Sequence, residues 1–186
     1  VNRFLSRERD GVHLTRVSSS GREQAALTGS RLKELGLPFE VILNSTMRRA
    51  KETSDVIAGE LSAVPRSEDH LLREGAPFPP EPKPKFYAPH EHEFYRDGAR
   101  IEAAFRKYFH RADVSEERDT YTVLVCHANV IRYFVCRALQ FPPESWLRFT
   151  LKHASITWLM IRPSGSVILH SFGDTGFMPP DKISVT

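Results

Sequence analysis

Apolar positions along the 186-residue chain change their spacing several times, and each change marks an element. Ala25, Thr28, Gly29, Leu32 and Leu35 lie on one helical stripe, with Ser20 and Glu23 as a capping box ahead of them and Gly36 as the stop. After Pro38, Val41-Ile42-Leu43 reads as a short strand ending at Asn44-Ser45-Thr46. Met47, Ala50, Ser54, Ile57 and Leu61 recur at three and four residues and predict a second helix. Six of the thirteen prolines fall between 77 and 89, an extended and partly polyproline loop. Ile101, Ala104, Phe105, Tyr108, Phe109 and Ala112 predict a third helix over about 98–112. The β-branched run from Thr120 to Cys126 stops at His127, and helical spacing resumes through Val130, Phe134, Val135 and Ala138. Two strands, about 155–161 and 166–172, flank Arg-Pro-Ser-Gly and should pair as a hairpin. Residues 1–17 are mixed and polar, with no strand of useful length.

Alternating strands and helices predict one α/β domain in three α/β/α layers, with a mainly parallel sheet and an antiparallel edge. The formal charge of +3 is small and scattered, with no lysine-arginine block, which argues against nucleic acid and the membrane surface as partners. The two cysteines, Cys126 and Cys136, fall in a buried strand and the next helix, as small hydrophobes and not as a disulfide framework. No apolar run approaches the roughly 20 residues that a membrane-spanning helix needs.

The candidate chemistry gathers at strand ends. His127 closes a buried strand, where open α/β sheets bind ligands, and the helix after it begins with unpaired N–H groups that favour an anion. Arg48 and Arg49 fall in the first turn of a helix, an end that prefers negative charge. An anion held between guanidinium and helix terminus would justify them, and a solvated arginine pair is the plain alternative. Glu74 follows the apolar pair Leu71-Leu72 and precedes the proline-rich loop. Partial burial would fit it to protonate a leaving oxygen, and a surface salt bridge is the plainer reading.

Three other patterns carry less. Cys126 and Arg132 have the spacing of a thiolate phosphatase loop, but His-Ala-Asn-Val-Ile between them lacks the small residues that wrap a phosphate. His90 and His92 have no third ligand at metal-site spacing and read as a polar loop. The prolines could serve a partner domain or line a substrate.

Taken together, Gly21-Arg-Glu-Gln-Ala25, Ser45-Thr-Met-Arg-Arg-Ala50, Leu72-Arg-Glu-Gly75 and Val125-Cys-His-Ala-Asn129 resemble the histidine phosphatase (phosphoglycerate mutase) superfamily. Asp97-Gly-Ala-Arg-Ile-Glu-Ala103 and Gly173-Asp-Thr-Gly-Phe-Met-Pro-Pro-Asp-Lys182 are similar to its mitochondrial serine/threonine phosphatase branch. The resemblance implies a histidine that attacks phosphorus, a phosphohistidine, and hydrolysis by water, with no metal and no cofactor. It implies Arg49 as the phosphate-gripping arginine, Glu74 as general acid–base and His127 as the second histidine of the pocket. The amides of Ala128 and Asn129 would complete the oxygen cradle. Phosphorylated serine/threonine proteins are the implied partners, with a homodimeric core, a mitochondrial location and no membrane contact from this segment.

One departure qualifies the resemblance. The attacking histidine belongs to an Arg-His pair ending a central first strand, and none of the eight histidines follows an arginine. Residues 1–16 form an atypical segment and 17–186 an N-terminally incomplete histidine phosphatase domain, lacking the first central strand. The expected consequences are little or no turnover and, with two ladder edges exposed, a chain prone to aggregate. A non-catalytic module that binds phosphorylated ligands is the alternative.

Overall fold

The computed structural model describes residues 16–113 and 115–185. The apolar run after Pro38 becomes β1 (Phe39–Ser45), the middle strand of a three-stranded sheet. It pairs in parallel with β2 (Arg66–Asp69) on one side and β3 (Tyr121–Val125) on the other. Helix α2 (Arg48–Glu60) carries the crossover to β2, and α3 (Glu91–Tyr108) precedes β3. Helices α1 (Ser19–Glu34) and α4 (Ala128–Ala138) flank the two ends of this succession. Because all three strands run the same way and Asn44 is level with both Glu68 and Val125, their carboxyl ends open at one edge.

Strand alternation divides the core into two layers. Ile42 packs with Ala25, Leu32, Ile57, Leu61 and Val125 on the α1/α2 side. Leu43 packs against Leu72, Ile101, Ala104, Val130, Tyr133 and Phe134 on the α3/α4 side. Helices α1 and α2 touch closely at Gly29, where a Cβ would stand 3.2 Å from the Ile57 backbone. This is the three-layer arrangement expected for an α/β domain.

Three expectations need correction. The cap of α1 is Ser18, whose Oγ accepts the Gly21 N–H at 3.1 Å, while Glu23 turns outward to Lys182. Glu52 of α2 holds the Val17 amide at 3.0 Å and so fixes where the first turn begins. Helix α3 starts at Glu91, not near 98, because the Glu93 carboxylate accepts the His90 N–H at 2.7 Å and two acids suit the first turn. It also stops at Tyr108; His90 is its N-cap and His92 lies in its first turn, not in a loop, and among the described residues no group of His, Cys, Asp and Glu side chains could hold a metal.

The third correction concerns the sheet. β4 (Ile156–Ile161) and β5 (Val167–Asp174) form the expected antiparallel hairpin. Among the described residues it is a separate two-stranded sheet and not an edge of the parallel one. Side chains attach it to the body: Ile156 packs on the α1/α2 core, and Phe172 meets Phe149 with ring centroids 5.3 Å apart. The atypical segment proposed for residues 1–16 lies, apart from Arg16, outside the described residues.

Candidate active site

The open edge of the parallel sheet collects the charged residues. His127 follows β3 after Cys126 and takes the N-cap position of α4 in an extended conformation. Its side chain is turned inward, leaving the residue only 6% exposed, and its Nε2 lies 2.8 Å from the Ser45 Oγ at the end of β1. Burial, and then the positive charges of Arg49, Arg100 and Arg73, push the imidazole down to about 3. His127 is therefore neutral at physiological pH.

The arginine pair at the start of α2 is divided between two tasks. Arg48 turns along its own helix to Glu52, at 2.8 Å. Arg49 faces the strand ends, where its charge acts on both His127 and Glu74. The expected general acid is thus brought to the expected phosphate-gripping arginine by a strand end and a helix start from different parts of the chain.

Glu74 sits just beyond the short turn His70–Leu72 that follows β2. Its main-chain N–H donates to the Met47 Sδ at 3.3 Å, and the Gly75 N–H reaches its carboxyl at 3.3 Å. Although the residue is half-buried, protein surrounds the carboxyl, and that desolvation raises it from 4.5 to about 7. Arg49, the Gly75 and Asn129 amides and Arg132 pull the other way without cancelling the effect. A carboxyl poised near neutrality exchanges a proton readily in either direction.

Neighbours that the sequence reading passed over hold this segment. Arg100 of α3 donates to three carbonyl oxygens in succession, of Leu71 at 2.9 Å, Arg73 at 2.6 Å and Glu74 at 3.0 Å. Asp97, one turn earlier, accepts the Ala76 N–H at 3.2 Å and pairs with Arg100 at 3.5 Å. A Cβ on Gly75 would stand 2.6 Å from the Asp97 carboxyl and 2.7 Å from the Arg100 guanidinium, so this clamp requires glycine. On the other side, Asn129 donates its Nδ2 to the Gly75 carbonyl at 3.1 Å and accepts from Arg132 at 3.3 Å. Asp97 and Arg100 are visible in the sequence as an i, i+3 pair, but nothing in that spacing says what they grip.

The first turn of α4 supplies the remaining donors. The Ile131 N–H is the first to close on the His127 carbonyl, so the amides of Ala128 and Asn129 precede the helical ladder. The Asn129 amide faces the Glu74 carboxyl. The proline-rich loop borders the site: Trp146 donates to the Phe78 carbonyl at 2.8 Å, and Tyr87 meets the Trp146 ring edge-on at 5.4 Å. Burial and the charge of Glu74 push the Tyr87 phenol up.

A thiolate loop is ruled out on the same grounds. Burial pushes the Cys126 thiol up to about 12, opposite to what a nucleophilic thiolate requires. Arg132 is turned to Asn129, whose side chain holds the Glu74 segment.

A carboxyl near neutrality, a neutral buried histidine, convergent arginines and a helix N-terminus meet at the parallel strand ends, an arrangement suited to an anion. Residues 7–174 match the histidine phosphatase superfamily (branch 1), and the chain belongs to that superfamily. The match begins inside the segment set apart as residues 1–16. The chain is 60% identical over 164 residues to the mouse serine/threonine-protein phosphatase PGAM5, mitochondrial, covering 88% of this chain and 57% of that protein. It is 53% identical over 174 residues to the protein of the same name from Drosophila ananassae, covering 92% and 60%. The chain thus spans somewhat more than half the length of these relatives. Among solved structures it resembles phosphoglycerate mutase from Plasmodium falciparum, with a TM-score of 0.64, 35% identity and coverage of 87% and 86%. Bacillus stearothermophilus YhfR shares the fold at a TM-score of 0.65 and 20% identity, covering 86% and 85%.

Proposed function

We propose that this chain is the phosphoryl-binding and proton-transferring part of a mitochondrial phosphatase acting on phosphorylated serine and threonine in proteins. The observation that carries the proposal is Glu74, held near neutrality beside Arg49 and within reach of the first turn of α4. The names of the relatives at 53–60% identity support the substrate class and the location.

In this reading Arg49, the neutral His127 and the Ala128 and Asn129 amides hold the non-bridging oxygens of the phosphoryl group. A histidine nitrogen attacks phosphorus as the bond to the serine or threonine oxygen breaks, and protonated Glu74 gives that oxygen its proton. Water then attacks the phosphohistidine, loses a proton to the Glu74 carboxylate, and releases phosphate and free histidine. The Arg100–Asp97 clamp keeps Glu74 in register with both steps.

No histidine of this chain follows an arginine, so in this reading no Arg-His pair of these 186 residues supplies the attacking histidine. The chain alone then binds phosphate and turns over little. The test compares hydrolysis of a phosphoserine peptide by this chain and by a version extended with an apolar strand ending in Arg-His, with acid quench to look for acid-labile phosphohistidine. Turnover and label only in the extended protein are expected. Equal turnover by both would overturn the missing-nucleophile reading; no turnover by either, with phosphopeptide retained on the extended protein, would replace the enzyme with a binding module.

A further inference from the structure

We infer that Ser45 is a positioning residue that fixes His127 as its Nδ1–H tautomer, so that the proton-bearing nitrogen is the one free to hold a ligand oxygen. The inference rests on the phosphate-holding role proposed for His127, and its core is a count of protons.

Ser45 is fully buried at the carboxyl end of β1. Its Oγ makes two contacts among the described residues: it accepts the Met47 N–H at 3.2 Å, and it lies 2.8 Å from the His127 Nε2. A buried hydroxyl must place its own proton on an acceptor. Met47 offers only its amide donor to this oxygen, so the His127 Nε2 is the acceptor available. An Nε2 that accepts carries no hydrogen, and the proton of a neutral imidazole must then sit on Nδ1. Free neutral histidine in water favours the opposite, Nε2–H form, so the protein has to impose this choice. Met47, whose amide orients the hydroxyl, is also the residue whose Sδ receives the Glu74 N–H, so one turn of chain sets both groups.

The consequence is chemical. A neutral imidazole has one donor, and an Nε2–H tautomer would spend it on Ser45 and present a lone pair to the phosphoryl oxygens. With the tautomer fixed by Ser45, His127 donates to those oxygens without carrying a charge. The surrounding Arg49, Arg73 and Arg100 oppose its protonation, so the hydroxyl is the device that makes a neutral ring useful to an anion.

The test uses the full chain with 15N-labelled histidine, whose ring nitrogens show by their chemical shifts which one bears hydrogen. At neutral pH the wild-type His127 should show a protonated Nδ1 and an unprotonated Nε2. Ser45→Ala should move the signal towards Nε2–H and weaken inorganic phosphate binding by about fivefold to tenfold, the loss expected for one hydrogen bond. Ser45→Thr, which keeps the hydroxyl, should restore both. A wild-type ring protonated at Nε2 would overturn the inference without any variant, and so would an unchanged tautomer in a folded Ser45→Ala chain. If the wild-type tautomer is as expected but its resonances ignore added phosphate, the pocket reading fails and the tautomer assignment stands.

Discussion

Glu74 and His127 should give the stability of this chain opposite pH dependences, and Glu74→Gln isolates one of them. Below pH 4.5 the carboxyl holds its proton both folded and unfolded, so its ionisation has no effect on stability. As pH rises from 4.5 to about 7 the unfolded chain releases that proton while the folded one retains it, and stability falls. At about 1.4 kcal/mol for each pH unit between 4.5 and about 7, the loss reaches about 3 kcal/mol above neutrality. His127 runs the other way. Its folded value near 3 lies below its ordinary 6.5, so stability is complete above 6.5 and is lost as pH falls towards 3. The two slopes leave their shared optimum between about pH 5 and 6.5. Urea unfolding of wild type and Glu74→Gln across pH 4 to 9 measures the effect. The variant should gain about 3 kcal/mol on wild type between the acidic and alkaline ends while keeping the acid-side loss due to His127. Carboxyl 13C shifts should place the Glu74 midpoint near 7. Parallel stability curves, or a Glu74 that titrates near 4.5, would refute the claim that burial controls this carboxyl.

Other outcomes follow from individual contacts. Arg49→Ala should weaken inorganic phosphate binding by about tenfold to a hundredfold, the range for a charged hydrogen bond, whereas Arg48→Ala, whose partner is Glu52, should leave it within about twofold; calorimetry separates them. Gly98→Ala would raise helix propensity by about 1 kcal/mol, but its Cβ would stand 2.7 Å from the Pro77 carbonyl. Urea unfolding should therefore show a net loss of up to about 2 kcal/mol, an overpacking cost of about 1–3 kcal/mol less that gain, and a stabilised variant would show that the loop does not rest there. With its thiol pushed up to about 12, Cys126 should alkylate at pH 8 at least a hundredfold more slowly than free cysteine, as read by mass spectrometry; a fast reaction would reopen the thiolate reading.

How much of this was legible in the sequence follows physical lines. The β3–turn–α4 passage was readable because a β-branched run gave way to helical spacing at one residue, His127. The first helix was readable too, but its cap was misplaced by two residues, since Ser18, Ser19 and Ser20 offer three equivalent hydroxyls and only the Val17–Glu52 contact decides among them. The start of α3 was missed because its cap uses His90 with Glu93, outside the usual serine and aspartate signal, and because no apolar stripe marks its first two turns. Arg49, Glu74 and His127 stood out by their places at a helix start, after an apolar pair and at a strand end, and the resemblance added the role of each. Ser45, Arg100 and Asp97 were passed over because the partner of Ser45 is 82 residues away, those of Arg100 are backbone carbonyls and that of Asp97 is a backbone amide, none of which leaves a trace in local spacing. The separation of the β4–β5 hairpin from the parallel sheet was equally invisible, because strand pairing between distant segments depends on the whole topology.

The central claim is that the strand ends of the parallel sheet form one phosphate pocket around Arg49, Glu74 and His127. Titration of inorganic phosphate into the 15N-labelled chain tests it most directly. Saturable shifts are expected at the Ala128 and Asn129 amides and the Arg49 Nε–H, and in Arg49→Ala the Ala128 and Asn129 shifts should saturate only at about tenfold to a hundredfold more phosphate. Shifts confined to other surfaces, or shifts at Ala128 and Asn129 that persist unchanged without Arg49, would contradict it.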